Sequence, residues 1–227
     1  MQSSKTVLRA AALAAIFITA PLAAQQPQTT LQRAVNAYSD AQSISANFNQ
    51  TVTNPLTDRA LSTSGELLRR KPNLLSIKFN GTDPDRIVAD GSTLWVYLPS
   101  SAPGQVIKIP AAIGQRGMLV DPMGQILSAP ISSYDLTESG TAIVGGRRTH
   151  AITLTPKARG ALFTKATLWI DDTDGLVRQM ETTEPSGLVR RIVVTKVRTD
   201  VAIPRSAFQF TPPANVRVID GTNMIPG

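Results

Sequence analysis

The rhythm of hydrophobic and polar positions changes three times along this chain. Over residues 30–40, "TLQRAVNAYSD" sets Leu31, Ala34, Val35 and Tyr38 at the spacing of one helix face. Thr30 stands where an N-cap is wanted. The period then falls to two. "SISANFNQTV" alternates through Ile44, Ala46 and Phe48, and "SGELLRR" and "LLSIKF" follow as further strands. "RIVADGSTLWVYLP" reads as two apolar runs about an Asp90-Gly91 turn, and "QVIKIP" adds a strand. The alternation stops over residues 111–129, "AAIGQRGMLVDPMGQILSA". There Ile113, Met118, Leu119, Met123, Ile126 and Leu127 are interrupted by glycines and Pro122, which predicts two short, weak helices broken at Asp121-Pro122. Strands resume with turns at Gly145-Gly146 and Asp174-Gly175, continue through the long "LVRRIVVTKVRTD", and end with "FQFTPPANVRVID".

Many antiparallel strands, one early helix and one broken helical insertion predict a mainly β fold. The strands carry one apolar face each, and the few helices must cover it. A curved sheet or a partly closed barrel with helices over its mouth is the economical arrangement.

The first residues lie outside this pattern. Lys5 and Arg9 precede an apolar run and then small residues, the layout of a secretory signal peptide. Residues 1–24 are expected to be removed after Ala24, which leaves residues 25–227 as a single domain. No later apolar run reaches spanning length. The expected location is the periplasm of a two-membrane bacterium, soluble and exported. Cysteine is absent, which rules out disulfides, thiol catalysis and a lipid-modified cysteine. Loss of Lys5 and Arg9 takes the formal charge from +7 to about +5. That favours anionic partners or lipid head groups. Aromatic residues are too scattered for a nucleic-acid stacking platform, so no nucleic-acid partner is expected.

Catalytic groups are sparse, and no enzyme activity is expected. His150 is the only histidine; a general base or metal ligand is one reading, and a hydrogen-bonded strand residue is the favoured one. "DDTDG", residues 171–175, has acidic density but neither the length nor the terminal glutamate of a calcium loop, and it sits where a tight turn needs Asp and Gly. Glu181 and Glu184 beside Arg178 are read as surface charges rather than a glycosidase pair. No cofactor or metal is expected. What remains is apolar surface on strands, which is either plain core or the wall of a cavity for an alkyl chain.

"FNQTV", "SGELLRRKPNLLSIKF", "IVADGSTLWVYLP" and "FQFTPP", in that order over nearly the whole expected mature chain, resemble the LolA-type outer-membrane lipoprotein carriers. The resemblance implies an incomplete antiparallel β-barrel, a curved sheet with a helical lid over an apolar cavity that holds the acyl chains of lipoproteins. Its partners would be acylated lipoproteins, an inner-membrane ABC-type release complex and a lipid-anchored outer-membrane receptor, with the carrier itself a monomer. An alternative is a same-fold periplasmic binding or sensor module for another lipid or apolar ligand. On the implied fold, Phe48, Leu67, Leu75, Ile77, Phe79 and Trp95 line the cavity from the early strands. Phe163, Leu168 and Ile170 line it from the later ones, and Met118, Ile126 and Leu127 close it from the lid. The family sets an arginine before the proline of "RRKPN", where it latches the lid; here that position is Lys71. Strand parity puts Arg69 on the same face as Lys71 and turns Arg70 outward into solvent. The latch is Lys71, Arg69 or both, against the plainer reading that all three cover a sheet edge.

Overall fold

The computed structural model describes residues 25–110 and 121–222. The expected signal segment, its junction at Ala24, Met118 and the first of the two mid-chain helices fall outside them. Helix α1 spans Gln25–Asp40. It begins five residues before Thr30, so Thr30 lies within the helix rather than capping it. Six strands follow: β1 Ser43–Asn54, β2 Arg59–Arg70, β3 Leu74–Phe79, β4 Arg86–Asp90, β5 Thr93–Tyr97 and β6 Gln105–Pro110. Helix α2, Pro122–Ser128, and a 3₁₀ turn at Ile131–Ser133 lead into β7 Tyr134–Val144, β8 Arg147–Pro156, β9 Lys165–Asp171, β10 Val177–Thr183 and β11 Val189–Thr199. A 3₁₀ turn, Arg205–Phe208, and β12, Arg217–Asp220, complete the described chain.

All twelve strands form one sheet in the order β12-β6-β5-β4-β3-β2-β1-β11-β10-β9-β8-β7. β12 and β7 are its two edges, so the curved sheet does not close into a barrel. Neighbours pair antiparallel except β12, which runs parallel to β6. The Gly145-Gly146 turn has both residues at positive φ, 56° and 77°, as a tight hairpin requires.

Cross-strand register assigns each side chain to a face. Arg69 pairs with Leu75, Leu67 with Ile77, and Gly65 with both Phe79 and Phe48, so these residues share the inner face. Gly65 is there because of close approach: a Cβ would come within 2.7 Å of the Phe48 ring. With that space free, Phe48 meets Phe79 edge to face at 5.4 Å. The inner face carries two apolar clusters. One gathers Leu168, Ile170 and Met180 of the sheet beneath Leu31 and Ala34 of α1 and Ile126 and Leu127 of α2. The other gathers Phe48, Leu75, Ile77, Ile87, Leu94 and Ile109. Ile192 packs against both and joins them.

The middle of α1 is tied to the β9–β10 turn. Arg33 donates to the carbonyls of Asp171 and Asp172, at 3.0 and 2.7 Å. The Asp171 carboxylate is buried and accepts from Arg147 at 2.6 Å, Arg178 at 2.9 Å and the Thr173 amide at 2.8 Å. Burial alone would raise its pKa, but these donors outweigh it and hold the carboxyl well below the usual carboxylate range. The "DDTDG" cluster is thus an ion-paired turn. Among the described residues no group of three or more acidic or histidine side chains is placed to hold a metal.

The outer face is covered by the segment after β11. Ile203 and Phe208 pack on Leu74, and Phe210 lies against Trp95 and Tyr97 with centroids 5.8 Å apart in each case. Phe208 is almost wholly buried in this strap. Phe208→Ala is expected to cost ~3–5 kcal/mol in chemical denaturation, the range for emptying an aromatic core site. A loss below ~1 kcal/mol would show that the strap adds little to the sheet's stability.

Candidate functional site

A helix leaves its last carbonyls without intrahelical partners. α1 has no basic residue in its own last turn to meet them. The end of β2 supplies the missing cations. Arg69 donates from Nη1 to the Tyr38 carbonyl at 3.2 Å, and Lys71 donates from Nζ to the Ser39 carbonyl. Both also place positive charge at the negative end of the helix dipole. The Arg69 guanidinium lies 4.1 Å from the centroid of the Tyr38 ring, a cation–π contact in addition to the hydrogen bond.

Tyr38 carries the connection onward to α2. Its phenol donates to Asp121 Oδ2 at 2.5 Å. The other oxygen of Asp121 accepts from the Gly124 amide at 2.8 Å and caps the helix, with Pro122 at its start. Gly124 permits this approach, because a Cβ there would overlap both the Tyr38 hydroxyl and the Asp121 carboxylate. Burial, and then the negative charge of Asp121, push the Tyr38 phenol well above its usual pKa, while Arg69 opposes them. The phenol therefore remains a donor across the physiological range. The result is a connected path from sheet to helix to helix: Arg69 and Lys71, the C-terminus of α1, Tyr38, Asp121 and α2.

Of the residues expected to line a cavity, the structure divides most between the two inner clusters. Phe163, Leu168, Ile170, Ile126 and Leu127 lie in the cluster under the helices, and Phe48, Leu75 and Ile77 lie in the other, with Leu67 and Phe79 packed against it. Trp95 is a correction. Its neighbours Leu94 and Val96 face inward, so Trp95 projects from the outer face. There it stacks near Phe210, lies 5.6 Å below Lys108 Nζ and donates to Asp90 Oδ2 at 3.1 Å. Arg70 is a second correction. It faces outward but is not merely solvated: it donates to the Ile203 carbonyl at 2.7 Å and sits 5.4 Å from the Phe208 ring.

The latch expectation also changes in detail. The two cations do not bond α2 directly; they hold α1, and Tyr38 bridges to α2. Sequence reading missed Tyr38 and Asp121. The available signal was Asp121-Pro122, a cap followed by a favoured first helical residue, together with a tyrosine on an apolar helix face whose hydroxyl needs a partner. His150 is engaged by Asp172 at 2.5 Å, which Arg148 also contacts at 3.3 Å. Glu181 and Glu184 are paired with Arg191 at 2.7 Å and Arg190 at 3.3 Å rather than with each other. What this arrangement offers is an apolar face under helices fastened by polar contacts at one end.

Similarity to known proteins agrees with that geometry. The family model described as "Outer membrane lipoprotein carrier protein LolA" matches residues 39–211. An outer-membrane lipoprotein carrier protein of Chromobacterium violaceum is 27% identical over 209 residues, covering 92% of this chain and 96% of the relative. One from Pseudomonas aeruginosa is 25% identical over 213 residues, covering 94% and 98%. Among solved structures, an uncharacterized conserved protein from Thermus thermophilus superposes with a TM-score of 0.52 at 14% identity, over 86% of this chain and 99% of that one. The Mycobacterium tuberculosis lipoprotein LppX gives 0.51 at 16% identity, over 79% and 99%. The structural likenesses speak for the fold, and the family model, which spans most of the chain, speaks for descent: the chain belongs to the LolA family of outer membrane lipoprotein carrier proteins.

Proposed function

We propose that this protein carries lipoproteins across the periplasm, with the inner face of the sheet receiving their acyl chains and α1 and α2 serving as the movable cover. The observation that carries this reading is the continuous inner apolar surface, two clusters joined at Ile192, in a chain of the carrier family. The signal-like N-terminus supports export. No helix among the described residues is long and apolar enough to cross a membrane. An inner-membrane ABC-type complex would load the carrier, and a lipid-anchored receptor would empty it.

The energetic demand is simple to size. Moving an acyl chain into water costs ~0.8 kcal/mol per methylene, so a dozen methylenes cost on the order of 10 kcal/mol. The inner face offsets that cost, and displacing the cover tempers it so that the cargo can leave. Arg69 and Lys71 act as the latch through α1, and α2 follows through Tyr38.

Three measurements test the reading. Purified protein, added to inner membranes with the release complex, ATP and an acylated lipoprotein, is expected to yield a soluble one-to-one complex. Cargo that stays with the membrane, while a proven carrier of the family releases it, would falsify the carrier assignment. Arg69→Leu removes a carbonyl partner and a ring contact, Lys71→Leu only a carbonyl partner. Amide exchange in α2 is therefore expected to rise more in the first variant, by ~1.5–3 kcal/mol of lost protection, with handover to the receptor slowed more than uptake. Unchanged exchange in both would show that neither cation holds the cover. Tyr38→Phe tests the bridge through pH. The folded phenol has the raised pKa, so its stabilising contribution is complete below the unfolded value of ~10 and is lost as pH rises beyond it. Stability of the parent protein should fall more steeply above pH ~10 than that of Tyr38→Phe. Parallel curves would argue against the buried Tyr38–Asp121 contact.

A further inference from the structure

Inner-facing rows of the sheet become polar toward the end opposite the α1 latch. Register places Phe48 and Val194 in one row, Met180, Ile192, Gln50 and Thr63 in the next, and Thr182, Arg190, Val52 and Leu61 in the one after. Arg190 is thus a guanidinium on the same face as the two apolar clusters, half-buried, with a side chain 30% exposed. It donates from Nη1 to Gln50 Oε1 at 3.1 Å and from Nη2 to Glu184 Oε1 at 3.3 Å. An arginine has five N–H donors. Among the described residues nothing else accepts from Arg190. The row opens to solvent at Leu61, which is 68% exposed.

This is a polar site at the mouth of an apolar surface, with donors to spare and its charge already balanced by Glu184. Such a group suits neutral carbonyl oxygens better than a phosphate, which would be repelled by the carboxylate. Along β1, from the Val52 row to the Ile44 row beside Arg69, the inner face extends ~26 Å, room for an extended tail behind a head held at Arg190. Resting on the carrier reading above, we infer that Arg190, oriented by Gln50 and Glu184, holds the ester and amide carbonyls at the head of an acylated cargo while the tails lie on the inner apolar face.

The test compares two probes on the full chain: a synthetic triacylated cysteinyl lipopeptide and a neutral long-chain alkyl fluorophore with no ester or amide. Arg190→Met is expected to weaken lipopeptide binding about tenfold, the effect of losing ~1.4 kcal/mol, and to leave the alkyl probe unchanged. Arg190→Gln keeps an amide donor and is expected to lose less in the same direction; it decides the matter where the methionine variant fails to fold. Unchanged lipopeptide affinity in both variants overturns the inference. Equal loss of both probes also overturns it, because Arg190 would then be supporting the sheet. A parent protein that binds neither probe refutes the carrier reading itself. A dialkyl phospholipid without ester groups that shows the same dependence on Arg190 would assign the site to phosphate instead and reject carbonyl recognition.

Discussion

The unpaired carbonyls at the C-terminus of α1 are the point on which the cover of this protein depends. A sixteen-residue helix with no charge of its own to complement either terminus is marginal without tertiary support. Here the support comes from the sheet it covers. Arg69 and Lys71 meet the carbonyls of Tyr38 and Ser39, and the same guanidinium lies over the Tyr38 ring. Because Tyr38 in turn holds the residue that caps α2, loosening the end of α1 also loosens the start of α2. Two helices far apart in sequence therefore share one fastening.

The strength of that fastening matters as much as its presence. Charge-assisted hydrogen bonds contribute ~1.5–3 kcal/mol each, and a cation–π contact ~0.5–2. Together these contacts are worth several kcal/mol, less than the ~10 kcal/mol released by withdrawing a dozen methylenes from water. On the proposed carrier reading, a cover held this way would close over an empty face yet yield to a lipid. A second set of contacts holds α1 further back. Buried Asp171 and Arg178, with the more exposed Arg33 and Arg147, form a multiply bonded group that pins the middle of α1 to the β9–β10 turn. The middle of α1 is held through that group, and its C-terminal end through Arg69, Lys71 and Tyr38.

Much of the fold was legible because strand alternation and turn dipeptides are local signals. Asp90-Gly91, Gly145-Gly146 and Asp174-Gly175 all mark hairpin turns, and "LLSIKF" is a strand over the same residues that its pattern predicts. What failed was non-local or ambiguous. "LWVY" is apolar at every position, so its parity cannot be read within the strand, and Trp95 falls on the face opposite Leu94 and Val96. Arg70 turns outward as alternation requires, but its partners Ile203 and Phe208 arrive from more than a hundred residues downstream. The Tyr38–Asp121 bond is similarly distant in sequence. Arg190 is hidden for another reason: beside Arg191 it reads as half of a surface pair, until register shows one facing inward and the other outward.

Local geometry is compatible with a lysine in the proposed latch. The resemblance sets an arginine at the position of Lys71, and lysine lacks the planar fork that can bond a carbonyl and stack on a ring together. Arg69 is the second-last residue of β2 and Lys71 stands just past the strand's end, both beside the C-terminus of α1. Arg69 and Lys71 can therefore reach adjacent carbonyls at the same helix end. The guanidinium takes the site that also has an aromatic face, and the ammonium, a compact donor, takes the site that needs only a hydrogen bond. A basic run that looks uniform in sequence is in this fold three separate contacts: Arg69 to ring and carbonyl, Lys71 to carbonyl, and Arg70 through the sheet's other face to the strap that closes it.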